Sequence, residues 1–428
     1  MKYYSTRDRS TRFSLKEAAF RGLAPDGGLF MPESVPQADL NEICALSERS
    51  FAHVARYIAG LFFGEDLSPH QLDAIVEGAY GFDIPLKHLG GDRYTLELFH
   101  GPTFAFKDVG AGFMGRALGE LNDSGEDLII LTATSGDTGS AVANGFYGIE
   151  GIKVVVLYPD GKVSDLQESQ MTTLGQNIYP LKVHGTFDDC QRIVKEIFSD
   201  TAFRAQRKVT SANSINILRW IPQSFYYFHA WAQWKKATGY DRPNIVVPSG
   251  NYGNLSAGML AEKMGLPVQH FVAASNANDV IPKYLETGLF SPRPSVRTVA
   301  NAMDVGNPSN YERIVDLYDG DFFSLAASVK GYSCDDEAIL AAIREIYDRY
   351  GYVSDPHSAV GYLAAKRYDA YGFWLSTAHQ AKFGEVIRRA LDRDFPLPGG
   401  LEKFLGKEKV YTRIEPDTSA VEDFVRSL

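Results

Sequence analysis

From Leu96 onward, short β-branched runs alternate with stretches of helical periodicity, and this pattern constrains the fold of the 428-residue chain more than any other feature. The runs are Asp127 to Thr134, Lys153 to Tyr158, Ile178 to Val183, Asn244 to Pro248, His270 to Ala274 and Gly372 to Ser376, and most precede a helical pattern. Strand, helix and parallel strand make a βαβ unit, so the pattern predicts an α/β fold of mainly parallel sheets covered by helices on both faces. Because the runs spread over about 250 residues, two neighbouring sheets suit them better than one.

Around this core the texture differs. Residues 14 to 92 read mostly as helices with polar breaks: Ser14-Leu15-Lys16-Glu17 has the pattern of a capping box, and apolar positions recur at helical spacing from Phe51 to Phe63. Gly22 to Gly28 is a turn cluster. The expected division is a helical N-terminal lead-in domain over 1–92, a catalytic core of two α/β subdomains over 93–391, and a peripheral C-terminal extension over 392–428. That extension opens on Pro396, Pro398, Gly399 and Gly400.

Charge narrows the partners. A formal net charge of -10 argues against nucleic acid or an anionic membrane, both of which need a basic footprint. Cys44, Cys190 and Cys334 are odd in number and widely spaced, which fits neither a disulfide framework nor clustered zinc ligands, so no metal is expected. The polar N-terminus has no apolar signal core, and no run approaches membrane-spanning length, which together predict a cytoplasmic protein.

The residue types that carry chemistry gather at strand-to-helix turns. Lys107 follows a Gly101-Pro102 turn and the aromatics of Phe104-Ala105-Phe106-Lys107. A desolvated ammonium loses its proton more readily and becomes a nucleophile, although such a lysine can also simply lay its methylenes on apolar surface. Two glycine loops, Thr134 to Ser140 and Pro248 to Asn254, each follow a β-branched run and open a helical one, where free N–H groups receive anions. Neither has the spacing of G-x-G-x-x-G or the lysine of the phosphate-binding loop of nucleotide enzymes. Asp137 places a carboxylate in the first loop, whereas Gly250 to Asn254 holds none, so a dianion should prefer the second. In the first loop Asp137 is expected to cap the helix or accept a hydrogen bond from a ligand hydroxyl. Asn213 or Ser214 would cap a helix that brings Arg219 one or two turns on, and the aromatics from Trp220 to Trp231 would pack in the core. Ser376-Thr377-Ala378-His379 ends a strand where ligands collect in such sheets; there His379, like His357 in Asp355-Pro356-His357-Ser358, reads as a capping residue or an acid–base group.

Tyr3 to Arg7, Leu98 to Thr103, Thr134 to Gly139, Asn213 to Asn216, the Gly250 loop, Asn301 to Asp304 and Thr377 to His379 together resemble the threonine synthase family. These are pyridoxal-phosphate enzymes of the tryptophan synthase β-like, fold type II class. The resemblance implies pyridoxal 5'-phosphate bound as a Schiff base on Lys107, its phosphate cradled by Gly250, Asn251, Tyr252, Gly253 and Asn254. Thr377 would meet the pyridine nitrogen and Asp137 would stand beside the ring hydroxyl. Thr134, Ser135, Thr138, Asn213, Ser214, Arg219 and Asn251 would surround the substrate phosphate. Tyr252, where phenylalanine is frequent, and Gln380, where proline is common, are departures that touch only local loop geometry.

The implied reaction is a β,γ-elimination and replacement that turns O-phospho-L-homoserine and water into L-threonine and phosphate, the last step of threonine biosynthesis, in a monomer or homodimer. A threonyl hydroxyl at the ring nitrogen holds less positive charge than a carboxylate would, which argues against a transaminase. The rival readings are another elimination enzyme of this fold, such as threonine dehydratase, and a non-catalytic protein binding a phosphorylated metabolite.

Overall fold

The computed structural model describes residues 1–123 and 125–428. In chain order its strands are β1 (Tyr3–Ser5), β2 (Asp8–Phe13), β3 (Phe30–Pro32), β4 (Leu86–Gly90), β5 (Arg93–Glu97), β6 (Leu128–Ala133), β7 (Ile152–Pro159), β8 (Ile178–Val183), β9 (Val209–Thr210), β10 (Asn244–Pro248), β11 (His270–Ser275), β12 (Val329–Ser333), β13 (Gly372–Ser376) and β14 (Thr412–Ile414). They form an antiparallel sheet β2-β1-β3, a six-stranded sheet β12-β11-β10-β13-β5-β4 and a five-stranded sheet β14-β8-β7-β6-β9. All pairs in the two larger sheets are parallel except the β4–β5 hairpin. The two mainly parallel sheets predicted from the alternation are therefore present.

Side-chain alternation explains why these strands read as unbroken apolar runs. In β10, Ile245 and Val247 face one apolar cluster while Val246 faces another. In β6, Leu128 and Ile130 join the central cluster, and Ile129 and Leu131 join a third on the opposite face. Both faces exclude water, so apolar residues are favoured at both position parities and a polar one such as Thr132 needs a partner. The helix Gln223–Thr238 belongs to the central cluster through Phe225, Tyr226, Tyr227, Phe228, Trp231 and Trp234, in keeping with packing rather than ligand stacking.

Three local features differ from expectation. The N-terminal region begins with the small sheet before its helices, and β4 pairs with β5, so the expected division at residue 92 passes through a hairpin of the six-stranded sheet. The segment after Asp392 is no peripheral extension: β14 lies parallel to β8, and Val421 and Val425 of the helix Thr418–Ser427 are buried in the cluster beneath the five-stranded sheet. Its Pro/Gly opening and polar composition obscured an apolar pair at helical spacing. The Ser14–Glu17 capping box forms as expected, but the cap before Arg219 is Asn216, whose Oδ1 accepts from the Leu218 N–H at 3.0 Å. Neither Asn213 nor Ser214 fills that role, because Asn213 meets Thr132 of β6 and Ser214 meets Asn251.

Candidate active site

The site lies at the carboxyl ends of both large sheets. After β5 the chain crosses to the helix Lys107–Leu121 and is tied to the end of β13 on the way. Leu98 donates its N–H to Ser376 O at 2.9 Å, Phe106 to Thr377 O at 2.8 Å, and His379 to Phe104 O at 3.0 Å, while Ala105 bridges Ala378. These bonds hold Phe104 at φ 59°, a conformation that costs a side-chain-bearing residue free energy, and they bring the start of the Lys107 helix beside Thr377.

Lys107 Nζ stands 3.9 Å from Asp137 Oδ2. Burial lowers the Lys107 ammonium below its ordinary range; Asp137 opposes this, and the fields of Lys382 and Arg219 reinforce it. Asp137 does not cap its helix, Asp137–Gly145, whose N-cap is Gly136. Its carboxylate instead receives Lys382 Nζ at 2.7 Å and Gln167 Nε2 at 2.8 Å, both on Oδ1. Burial alone would raise this carboxyl, but Lys382, Lys107 and Gln167 outweigh it and hold Asp137 below the usual carboxylate range. Behind Lys107, burial pushes Asp108 up to about 6, against the N–H and hydroxyl of Thr103 that it accepts.

The remaining loops close around this centre. Thr134 Oγ1 accepts from the N–H groups of Gly136 and Gly139 at 2.9 and 2.8 Å, so Thr134 shapes the first loop and keeps its own hydroxyl proton to donate. Ser135 is exposed and Thr138 half-buried on the same turn. Asn213 accepts from Thr132 at 3.2 Å, and Ser214 Oγ accepts from Asn251 Nδ2 at 2.7 Å, which joins the third stretch to the second glycine loop. The Arg219 guanidinium is buried, bonded to Ala212 O and lowered to about 10 by that burial.

In the second loop Tyr252 adopts φ 58° and its hydroxyl is bonded to Ser275. The helix Gly253–Lys263 that follows has no side-chain cap and no acidic residue in its first turn. Asn254 Oδ1 accepts from Tyr226 and Tyr227 at 2.6 and 2.7 Å, while its Nδ2 is buried without a hydrogen-bond partner among the described residues. Gly250 packs against Met303 so tightly that a Cβ would lie 2.7 Å from Met303 Cα. That segment is fixed in turn by His357, whose Nε2 accepts from the Ala302 N–H at 3.1 Å while Nδ1 meets Asp355 at 2.8 Å. His379 accepts from the Ala381 N–H at 3.2 Å, a capping contact. Both histidines are thus engaged in holding loops.

Sequence reasoning passed over Lys382, Gln167, Asn310 and Arg313. Arg313 is fully buried and bonds Ser214 O, Ile215 O, Asn310 Oδ1 and, at 3.3 Å, Phe30 O, so it fastens β3 to the loop bearing Ser214. Asn310 donates to Asn251 O at 3.0 Å. None stands in a recognisable motif.

The donor set fits pyridoxal phosphate. An amine that sheds its proton suits the aldehyde, an uncapped and acid-free helix N-terminus suits a phosphate dianion, and a buried threonine hydroxyl at a strand end suits a ring nitrogen. Among the described residues no group of three or more His, Cys, Asp and Glu could hold a metal ion, and no helix is long and apolar enough to cross a membrane.

Comparison with known proteins gives the same picture. Residues 83–372 match the family model described as pyridoxal-phosphate dependent enzyme, residues 2–80 the threonine synthase N terminus and residues 358–425 the threonine synthase C-terminal model. A threonine synthase of Haemophilus influenzae is 43% identical over 410 residues, covering 94% of each chain. The crystal structure of threonine synthase from Escherichia coli superposes with a TM-score of 0.90 at 39% identity, covering 100% of both chains. The structure of PLP-bound threonine synthase from Brucella melitensis superposes with a TM-score of 0.93 at 32% identity, covering 100% of this chain and 99% of that one.

Proposed function

The chain belongs to the threonine synthase family of pyridoxal-phosphate-dependent enzymes, and we propose that it converts O-phospho-L-homoserine and water to L-threonine and phosphate with Lys107 as the cofactor-bearing amine. It is a lyase that acts on a small molecule in threonine biosynthesis. Its three cysteines are free, which suits the reducing cytoplasm in which we place it. The observation that carries the assignment of roles is the Lys107 amine, pressed toward its neutral form by burial beside the end of β13, whose neighbour β10 runs into the acid-free Gly250 loop.

Pyridoxal phosphate, when bound, supplies an aldehyde that condenses with amines and a conjugated ring that accepts the electron pair left when a C–H bond breaks. The N–H groups of Gly250 to Asn254 would hold its phosphate, with Tyr252 fixed by Ser275 so that the loop keeps its shape. The Thr377 hydroxyl would meet the ring nitrogen, and Asp137 would stand beside the ring hydroxyl. With a substrate amine in place of its own on that aldehyde, the Lys107 side chain would be a neutral base able to take the Cα proton and to return one. Thr134, Ser135 and Thr138, with Asn213, Ser214, Arg219 and Asn251, supply hydroxyl, amide and guanidinium donors to the leaving phosphate. Their effect is largest where charge builds on that group. Arg219, buried and without a carboxylate partner among the described residues, contributes the fixed positive charge.

The test is the absorption of the purified protein in the Schiff-base region, followed by O-phosphohomoserine with both products assayed. Threonine and phosphate in equal amounts, with the absorption lost in Lys107→Ala, is the expected result. Phosphate with a keto acid in place of threonine would overturn the synthase assignment in favour of a lyase using the same lysine. A colourless wild type would overturn the role of Lys107 altogether.

A further inference from the structure

Two lysines face one aspartate in this site, and they do so unequally. Lys382, on the turn Gln380–Phe383 that follows β13, has a side chain with no exposure at all. Its ammonium lies 2.7 Å from Asp137 Oδ1 and donates to Thr103 O at 2.7 Å. Lys107 faces the other oxygen, Oδ2, at 3.9 Å, beyond hydrogen-bond length. A buried lysine this fully enclosed is ordinarily paired, and among the described residues its only carboxylate within ion-pair distance is Asp137.

We propose that Lys382 is a positioning residue whose ammonium occupies the Asp137 carboxylate, so that the carboxylate 3.9 Å from Lys107 is already paired and Lys107 is left without a proton. This rests on Lys107 being the cofactor-bearing amine. The charged groups that face Lys107 are Asp108 on its own helix, Asp137 on the first glycine loop, Lys382 on the turn after β13 and Arg219 on the helix Ile217–Trp220. With both Lys382 and Arg219 cationic, a proton on Lys107 would crowd three positive charges around a single close carboxylate. Lys382 is held at two acceptors, whereas Lys107 lies beyond hydrogen-bond length from Asp137 and burial presses its ammonium toward loss of the proton. Removing Lys382 leaves Asp137 buried and unpaired, and the nearest remaining cation that can satisfy it is Lys107 itself.

The experiment follows Lys107 directly. The full-length chain, stripped of cofactor, is mixed with pyridoxal phosphate across a series of pH values, the adduct is trapped with borohydride, and label at Lys107 is read by peptide mass. The initial rate against pH gives a midpoint for loss of the Lys107 proton. Lys382→Met is expected to move that midpoint upward by about 1–3 pH units, the size of an opposite charge gained within a few ångström. Asp137→Asn is expected to move it downward, and the Lys382→Met/Asp137→Asn double variant to return it near wild type, a recovery that a merely structural role would not produce. A Lys382→Met midpoint equal to wild type overturns the proposal, as does an upward shift in Asp137→Asn. Should Lys382→Met fail to fold, the other two variants decide it. Absence of label at Lys107 at every pH in the wild type would overturn the cofactor-bearing role and the proposal with it, whereas label with unmoved midpoints overturns the proposal alone.

Discussion

Replacing Gly250 by alanine tests whether the second glycine loop is shaped for close approach. The added Cβ would lie 2.7 Å from Met303 Cα, 3.1 Å from Met303 C and 3.2 Å from Met303 O. Carbon atoms prefer about 3.5–4.0 Å, so the two backbones must part by about 0.8 Å or more. Met303 cannot readily yield. Its N–H is bonded to Ala300 O at 3.0 Å, and the neighbouring Ala302 N–H is held by His357, itself fixed by Asp355. The displacement therefore falls on the Gly250 side, where the N–H groups that would hold the cofactor phosphate point. Backbone shifts of this kind cost about 1–3 kcal/mol. If the bound form bears that cost and the empty loop can relax away from it, the cofactor dissociation constant should rise about 10–100-fold, at 1.4 kcal/mol per tenfold. Titration of the cofactor-free variant with pyridoxal phosphate, followed by absorption, measures this, and a parallel thermal melt shows whether strain instead appears in stability. An affinity and a melting temperature both equal to wild type would refute the reasoning, since they would mean that the Met303 segment gives way freely.

Three further expectations concern stability. Burial raises Asp108 to about 6 from its ordinary 3.8, so the folded state binds this proton more tightly than the unfolded chain; the stability it brings is full below 3.8 and is lost as pH rises through 6. Relative to Asp108→Asn, the wild type should therefore lose about 3 kcal/mol between pH 3.8 and 7, and parallel slopes in urea unfolding of the two proteins would contradict this. His229 is held the other way, down to about 4 by burial against the opposing field of Asp83, so its contribution is present above 6.5 and is lost as pH falls through 4. His229→Gln should remove up to about 3 kcal/mol of acid sensitivity across that window, measured by unfolding at pH 7 and pH 4.5. Val421→Ala, in the cluster beneath the five-stranded sheet, should cost about 1–3 kcal/mol in denaturant unfolding, and no change would mean that the last helix is not packed there.

The legible part of the fold was the part written in local periodicity. The runs that became β6, β7, β8, β10, β11 and β13 are apolar at consecutive positions because helices and sheets cover both faces, and such runs announce themselves without any knowledge of neighbours. β9 is two residues long and β14 three, too short to carry a period, and β14 owes its existence to the open edge of β8. The site divides in the same way. Lys107, after the aromatics Phe104 and Phe106, and the two glycine loops lie at strand-to-helix turns, and turn chemistry is local. The Asp137 carboxylate was visible as well, but not its direction: it was expected as a cap or a ligand acceptor, and in the fold it meets Lys382.

By itself the sequence determined where strands alternate with helices, where glycines open helices, and which lysine lies in an apolar setting, because each depends on residues within a turn or two. Only the tertiary structure decided which charges meet. Lys382 lies far along the chain from both Lys107 and Asp137, and nothing in its neighbourhood marks it. It reaches Asp137 because the Phe106–Thr377 and Phe104–His379 backbone bonds bring the end of β13 against the start of the Lys107 helix. Arg313 likewise joins Phe30 to Ser214 through carbonyl groups that any residue carries. Backbone acceptors have no residue identity, and the pairing of buried charges follows from closure of the whole chain, so neither leaves a local pattern to read.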